Sequence, residues 1–286
     1  MFWTRITSLP RKRAVTIAAS LAIAGTLIPV GVASAHAASA SPNAAAKPTI
    51  VLVHGAWADG SSWDGVAGIL QHDGYTVDVA PNPLRGLTYD TSYLKDYLAS
   101  ISGPIVLVGH SYGGAVITDA ATGNANVKAL VYDDAYLPAL GENITTLSTA
   151  QSALAPAGTN PTSVFKLVQY PDPPAANVVD TYLLPSVVAA DFAPDVSPAE
   201  QALLTATQSP TSLAALMQPS TQPAWKTIPS WDVIGRQDKI IPEAAQLMMA
   251  HRAGSHITEI NSSHVSLISH PGEVAAVILK AVDATS

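Results

Sequence analysis

The 286-residue chain reads as an α/β protein: a mostly parallel, doubly wound sheet with a mainly helical insertion over one end. From Thr49 onward, short β-rich runs alternate with stretches of helical length, the pattern of a parallel sheet covered by helices on both faces. The run Ile105-Val106-Leu107-Val108 is apolar without alternation, as expected of a central strand buried on both sides. Between Pro138 and Pro223 the strand signal disappears and apolar residues recur at helical spacing.

Each element follows from its own residues. After a short leader, residues 41–47, the first strand is Thr49 to Val53, ending at His54-Gly55. A helix around Trp63 to Asp73, a strand from Thr76 to Ala80 and a helix around Tyr89 to Ser100 lead to the central strand. Val127 to Tyr132, Ser230 to Ile234 and His256 to Ile260 are further strands. The last helix is Pro271 to Val282, with proline near the first turn, where its missing N–H is not needed. The insertion, at about residues 138–223, holds 12 of the 22 prolines, including Pro171, Pro173 and Pro174, so it reads as helices with Pro-rich joints. A disordered linker is the competing reading. Val164 to Val168, Tyr182 to Val188 and Leu213 to Met217 supply too many apolar residues for it.

The first forty residues stand apart. Arg5, Arg11, Lys12 and Arg13 precede an uncharged Ala/Ile/Leu/Val-rich run from Ala14 to Ala33, followed by Ala33-Ser34-Ala35 and Ala38-Ser39-Ala40. That is the pattern of a cleaved export signal over residues 1–40, leaving a domain of residues 41–286 that acts outside the cytoplasm. A transmembrane anchor competes, since the run approaches the roughly 20 residues needed to span a bilayer. Gly25, Pro29, Gly31 and the two small-residue sites favour the signal, and no membrane span is expected after cleavage. Both the Sec and the Tat route fit.

Composition narrows the function classes. The formal charge is −7, from 14 Lys plus Arg and 21 Asp plus Glu. Four of the basic residues and none of the acidic ones lie before residue 41, so the domain itself carries −11. Nucleic acid is therefore not an expected partner, because such binding depends on Lys and Arg neutralising phosphates. With 48% hydrophobic and 12% charged residues the chain can bury a sizeable core. It has no cysteine, which removes disulfides, thiolate nucleophiles and Cys-based metal sites. The histidines lack ligand spacing with carboxylates and HExxH is absent, so neither a metal nor a cofactor is expected.

The strongest chemical signal is Gly109-His110-Ser111-Tyr112-Gly113, directly after the apolar strand and directly before the helical Gly114 to Thr118. Gly-x-Ser-x-Gly at a strand-to-helix junction permits a tight, strained turn with the serine hydroxyl at its tip. A Cβ at either flanking glycine would meet the neighbouring strand or helix. The following helix points its N-terminal amides at the serine, where they suit a developing oxyanion.

Together with His54 to Trp63, the Gly235 to Asp238 turn and His264-Val265, this motif resembles the α/β-hydrolase superfamily over essentially the whole domain. Within it, the likeness is to compact bacterial esterases and to the plant methylesterase and hydroxynitrile-lyase group. The resemblance implies an α/β-hydrolase fold with a cap, a serine nucleophile, an acid after a late strand and a histidine after the last strand.

The residues agree with that order. His264 lies four residues beyond the strand ending at Ile260, in the polar loop begun by Asn261-Ser262-Ser263, at the sheet end where Ser111 also lies. Of the other histidines, His36 falls in the signal, His110 faces away within the turn, His256 is a strand residue, and His251 and His270 sit on or beside helices. Asp238, in the turn after Ser230 to Ile234, matches the family's carboxylate position. Asp133 and Asp134, after Val127 to Tyr132, occupy the place where other members carry the acid, and Asp134 remains an alternative; Asp232 reads as structural. The oxyanion donors are expected to be the backbone amides of Tyr112 and Ala56, with Trp57 as an alternative to Ala56.

Ester hydrolysis by Ser111, His264 and Asp238 is the expected reaction, with a small hydrophobic ester as partner. Ser111 at the elbow argues against dehalogenases and epoxide hydrolases, which carry aspartate there. Hydroxynitrile lyases of the plant group have lysine where this chain has Val265 and threonine where it has Gly55. A cofactor-free perhydrolase or hydroxynitrile-lyase-like activity, and a non-catalytic ligand-binding protein on the same fold, are the alternatives. Trp57, Tyr136, Phe165 and Leu183 are the expected substrate contacts, with Tyr182, Phe192, Leu213, Leu216, Met217 and Trp225 as further wall candidates.

Overall fold

The computed structural model describes residues 47–169 and 179–285. The expected export signal and the prolines at 171, 173 and 174 lie outside the described residues. Six strands form one parallel sheet: β1 (Thr49–Val53), β2 (Val77–Ala80), β3 (Ile105–His110), β4 (Val127–Asp133), and two that follow the insertion. The sheet is built outward from β1 in both directions, so β3 and β4 lie at its centre with every hydrogen-bonding edge occupied. All six residues of β3 are buried, which a strand reaches only when both of its faces are covered. The connections carry α1 (Asp64–His72), α2 (Leu87–Ala99) and α3 (Tyr112–Ala120), and α2 packs against α3.

After β4 the chain enters the cap, where helices predominate and a small sheet accompanies them. Short helices are present: α4 (Ile144–Leu147), α5 (Pro185–Val187), a π-helical turn at Val188–Phe192, α6 (Pro198–Thr207) and α7 (Leu213–Met217). Beside them lies a three-stranded antiparallel sheet of β5 (Phe165–Gln169), β6 (Val179–Leu183) and β7 (Thr211–Ser212). Phe165 to Val168 and Tyr182-Leu183 are therefore extended. In β6 the residues Val179, Thr181 and Leu183 face inward and alternate with the half-buried Asp180 and Tyr182, a period of two over only five residues. So short a run is outweighed by its helix-like surroundings when read along the chain alone.

The cap is tied to the main body by polar contacts. Asp119, in α3, accepts hydrogen bonds from the Ser220 hydroxyl at 2.6 Å and the Thr221 amide at 2.8 Å, where the chain leaves the cap. Arg85, ahead of α2, pairs with Asp180 of β6 at 2.8 Å. The chain then completes the main sheet with β8 (Ser230–Gly235) and β9 (His256–Ile260), joined by α8 (Glu243–Ala253). The single turn α9 (Ser266–Ser269) and α10 (Pro271–Thr285) close the fold, with α10 packing on α1, β4 and β8.

Candidate active site

Ser111 sits between β3 and α3 with φ 52° and ψ −122°, a strained conformation for a residue bearing a Cβ. The flanking glycines explain how the chain can turn there. A Cβ on Gly109 would come within 2.7 Å of the Gly113 carbonyl group, and one on Gly113 within 2.5 Å of the Val53 carbonyl oxygen at the end of β1. Gly55 approaches from the other side: a Cβ there would lie 2.7 Å from Ser111 Cβ. The loop after β1 thus passes directly over the serine, and glycine is what lets it do so.

His264, in the loop after β9, is fully buried, with its Nε2 2.9 Å from Ser111 Oγ and its Nδ1 2.8 Å from Asp238 Oδ2. Asp238 accepts further hydrogen bonds at Oδ1 from the amides of Ile240 and Ile241, and at Oδ2 from Gln246 Nε2, at 2.8 to 2.9 Å. Four donors thus converge on one buried carboxylate and fix its orientation toward the histidine. With Asp238 accepting, Nδ1 carries the imidazole proton and Nε2 is free to accept from the serine hydroxyl.

Asp134 has no bond to His264. Its Oδ1 accepts from the Gly235 amide at 2.7 Å and its Oδ2 from the Ser266 amide at 3.1 Å, bracing the β8 turn against the histidine loop. Burial, followed by the charge of Asp238, pushes its pKa up to about 7. Asp133 beside it accepts from the Ser266 hydroxyl at 2.6 Å and is raised well above the usual carboxylate range, first by burial and then by Asp134. This pair is held away from the reacting atoms and toward its neutral form.

His110 is buried beneath His264, with Nε2 2.8 Å from the His264 carbonyl oxygen. Burial holds its pKa well below the ordinary value, so it is neutral and donates Nε2–H to that carbonyl. His54, the histidine of the loop after β1, is likewise lowered by burial. It bonds the Gly55 carbonyl oxygen at 3.0 Å through Nδ1.

The expected oxyanion donors lie on either side of the serine. The Tyr112 side chain is anchored by its hydroxyl, which donates to Asp90 of α2 at 2.7 Å, and its amide opens α3. The amide of Trp57, the alternative donor, is engaged in the structure: it donates to Thr211 Oγ1 of β7 at 2.9 Å. Trp57, at φ 57°, also donates its ring Nε1–H to Thr181 Oγ1 at 3.0 Å and stacks on Phe165 at 5.3 Å. No local signal pointed to Thr181 and Thr211, which reach the loop from 124 and 154 residues away.

A cavity of about 520 Å³ lies in the cap, lined by Ile144, Leu154, Phe165, Leu213, Leu216 and Met217 among others, with only hydroxyls as polar side-chain groups. Of the four expected substrate contacts, Phe165 lines it; Trp57, Tyr136 and Leu183 are packed in the core. Tyr136 connects cavity and nucleophile: its hydroxyl bonds Ser148 in the cavity wall at 3.0 Å, and its amide donates to the Ser111 carbonyl oxygen at 3.2 Å. Phe192 meets the His264 ring edge-on at 5.2 Å instead of lining the cavity.

The sequence profile of the alpha/beta hydrolase family matches residues 50–277, from β1 into α10. The chain belongs to the alpha/beta hydrolase family. This hydrolase is 35% identical over 111 residues to a carbendazim hydrolyzing esterase from Nocardioides sp. (strain SG-4G); the match covers 34% of the chain and 46% of that relative. It is 25% identical over 256 residues to the alpha/beta hydrolase nvfD of Aspergillus novofumigatus (strain IBT 16806), covering 82% of the chain and 96% of the relative. Among solved structures, polyneuridine aldehyde esterase superposes with a TM-score of 0.65 at 19% identity, over 82% of the chain and 99% of that protein. The fold and the family are those the sequence resembles, and the esterase relative supports a hydrolase.

Proposed function

We propose that the protein is an exported serine esterase acting on neutral, largely apolar carboxylic esters. The observation that carries this reading is the unbroken hydrogen-bonded line from Ser111 Oγ through the His264 ring to Asp238, at 2.9 and 2.8 Å, beneath an apolar cap. His264 Nε2 takes the serine proton as Oγ attacks the ester carbonyl, and the imidazolium so formed is stabilised by the carboxylate of Asp238. The tetrahedral oxyanion is met by the amides of Ala56 and Tyr112 and by the positive end of the α3 dipole. His264 then protonates the departing alcohol. Water, activated by the same histidine, attacks the acyl-enzyme and releases the acid.

Two features favour hydrolysis of an apolar ester. Val265, next to the histidine, is buried and apolar and offers no positive charge to hold a small anion such as cyanide. The cap cavity is large enough for a sizeable hydrocarbon or aromatic group and offers no charged partner to an ionic one. The Nocardioides relative, an esterase, supports ester hydrolysis as the reaction class. Export rests on the sequence pattern of residues 1–40; in a secreting host, mature protein that kept Met1 to Ala40 would count against it.

The test is a series of p-nitrophenyl esters of increasing acyl length with the purified domain, alongside Ser111→Ala and labelling by a fluorophosphonate. Turnover lost in Ser111→Ala with unchanged thermal unfolding, and labelling at Ser111, are the expected results. A Ser111→Ala protein that hydrolyses these esters at the wild-type rate would overturn the proposal.

A further inference from the structure

The loop that carries His264 is gripped from two sides, and only one of them belongs to the sheet. On the sheet side, Asp134 and Gly235 hold it closely: a Cβ on Gly235 would come within 2.7 Å of the Ser263 carbonyl oxygen. On the cap side the charged partner is Asp195, three residues beyond the π-helical turn at Val188–Phe192, whose Phe192 carbonyl oxygen also lies 3.5 Å from the Ser263 hydroxyl. Asp195 Oδ2 accepts from the Ser263 amide at 2.8 Å and from the Ser269 hydroxyl at 2.9 Å, and Asp195 Oδ1 accepts from the Ser263 hydroxyl. One side chain therefore binds the residue immediately before His264 through both amide and hydroxyl, and also ties in the turn that follows it. The same cap segment presses Phe192 against the His264 ring.

We infer that Asp195 is a positioning residue for His264, through which the seating of the cap sets the alignment of the general base. The inference deepens, and rests on, the reading of His264 as the proton carrier between Ser111 and substrate. Its physical basis is that the Ser111 to His264 bond tolerates little displacement. The ring itself is held by the bond to Asp238, about which it can pivot at Nδ1, and by packing against Phe192 and His110, while His110 also holds the His264 carbonyl. The backbone position of Ser263 limits that pivot. A carboxylate suits this task because it offers several lone pairs to donors converging from the amide and two hydroxyls, and charge-assisted bonds are shorter and stiffer than neutral ones. A π-helical turn suits it as well, since the extra residue in the turn redirects the chain that follows. Asp195 has no hydrogen bond to the Ser111, His264 or Asp238 side chains and does not line the cap cavity, so its loss acts on the alignment of His264.

The experiment compares wild type, Asp195→Ala, Asp195→Asn and Ser263→Ala in ester turnover and in the rate of fluorophosphonate labelling of Ser111. Asp195→Ala is expected to lower kcat by roughly 10²-fold, the order set by a displacement of about 1 Å at a reacting pair, with KM changed less than about twofold. Labelling should slow in parallel, because it needs the same base. Asp195→Asn keeps an acceptor for the Ser263 amide and should recover most of kcat; Ser263→Ala keeps the amide bond and should show a small loss. An Asp195→Ala protein with wild-type kcat and labelling rate overturns the inference. So does a loss confined to KM, or one that follows thermal unfolding and is not relieved by asparagine. If wild type itself neither turns over esters nor labels at Ser111, the serine-esterase reading fails first, and the Asp195 variants are not what decides it.

Discussion

Replacing Asp238 by asparagine isolates what its charge does, because the two side chains have nearly the same shape. The Asn carbonyl oxygen can take over the amides of Ile240 and Ile241, now at 2.8 and 2.9 Å. Its NH₂ then faces the two donors formerly served by Oδ2, His264 Nδ1–H and Gln246 Nε2–H. Gln246 keeps a second acceptor, the Ile241 carbonyl oxygen at 2.8 Å, so the stability loss should stay within the roughly 1–3 kcal/mol of one compromised buried donor. His264 has no second partner at Nδ1. It can satisfy the new donor only by moving its proton to Nε2, where it can no longer accept from Ser111. The expected loss in kcat is about 10⁴-fold, as for a triad left in the wrong tautomer. That corresponds to about 5 kcal/mol of transition-state stabilisation, well above the cost to the fold. The assay is p-nitrophenyl ester hydrolysis near neutral pH, paired with thermal unfolding. Asp134→Asn is the control: its bonds go to the Gly235 and Ser266 amides, so it should change stability while kcat stays within a few-fold of wild type. A kcat within tenfold of wild type for Asp238→Asn, or a collapse in Asp134→Asn at preserved stability, would refute the assignment of the orienting carboxylate.

Three other perturbations test separate parts of the architecture. Gly55→Ala puts a methyl group 2.7 Å from Ser111 Cβ and 3.0 Å from the His110 carbonyl oxygen, so the loop must shift; activity should fall while unfolding measurements show the roughly 1–3 kcal/mol cost of overpacking. Thr211→Val removes the acceptor of the Trp57 amide, and kcat/KM for a reference ester should drop by roughly tenfold if that bond is worth about 1–2 kcal/mol to the placement of the neighbouring Ala56 amide. Asp232, buried in β8, has its pKa pushed up to about 7 by burial, against about 3.9 in the unfolded chain. The folded state therefore holds the extra proton between those values. Its stabilising contribution is fully present below about pH 4 and is lost as pH rises through about 7. Melting temperatures of Asp232→Asn should accordingly fall less than those of wild type between pH 5 and pH 8, and parallel curves would dismiss the buried, protonated carboxylate.

The legibility of this protein follows the range of the interactions involved. The elbow is written within nine residues, since Gly109 and Gly113 are needed by contacts with the chain immediately around Ser111 and with the end of β1. The buried central strands were legible for the same reason: solvent exclusion from both faces leaves a continuous apolar run. The cap strands were not, because β5, β6 and β7 hold their shape through pairing across long intervals, and single strands of two to five residues have little signature of their own. Which apolar residues line the cap cavity was equally hard to read: Leu183 is as apolar as Leu216, and only packing decides which of them lines the cavity and which does not.

The sequence by itself therefore determined the α/β layering, the family, the strained serine turn and the order of the polar residues that follow it, because each depends on local sterics or on burial written along a single element. Tertiary structure decided which acid faces the histidine. Asp134 and Asp238 both follow strands at the same end of the sheet, yet only Asp238 reaches Nδ1, while Asp134 is spent on the amides of two neighbouring segments. It also decided that the Trp57 amide belongs to Thr211 and that Asp195 grips the loop of His264. Those contacts join residues 154 and 68 positions apart, and no spacing along a chain encodes a distance that only folding creates.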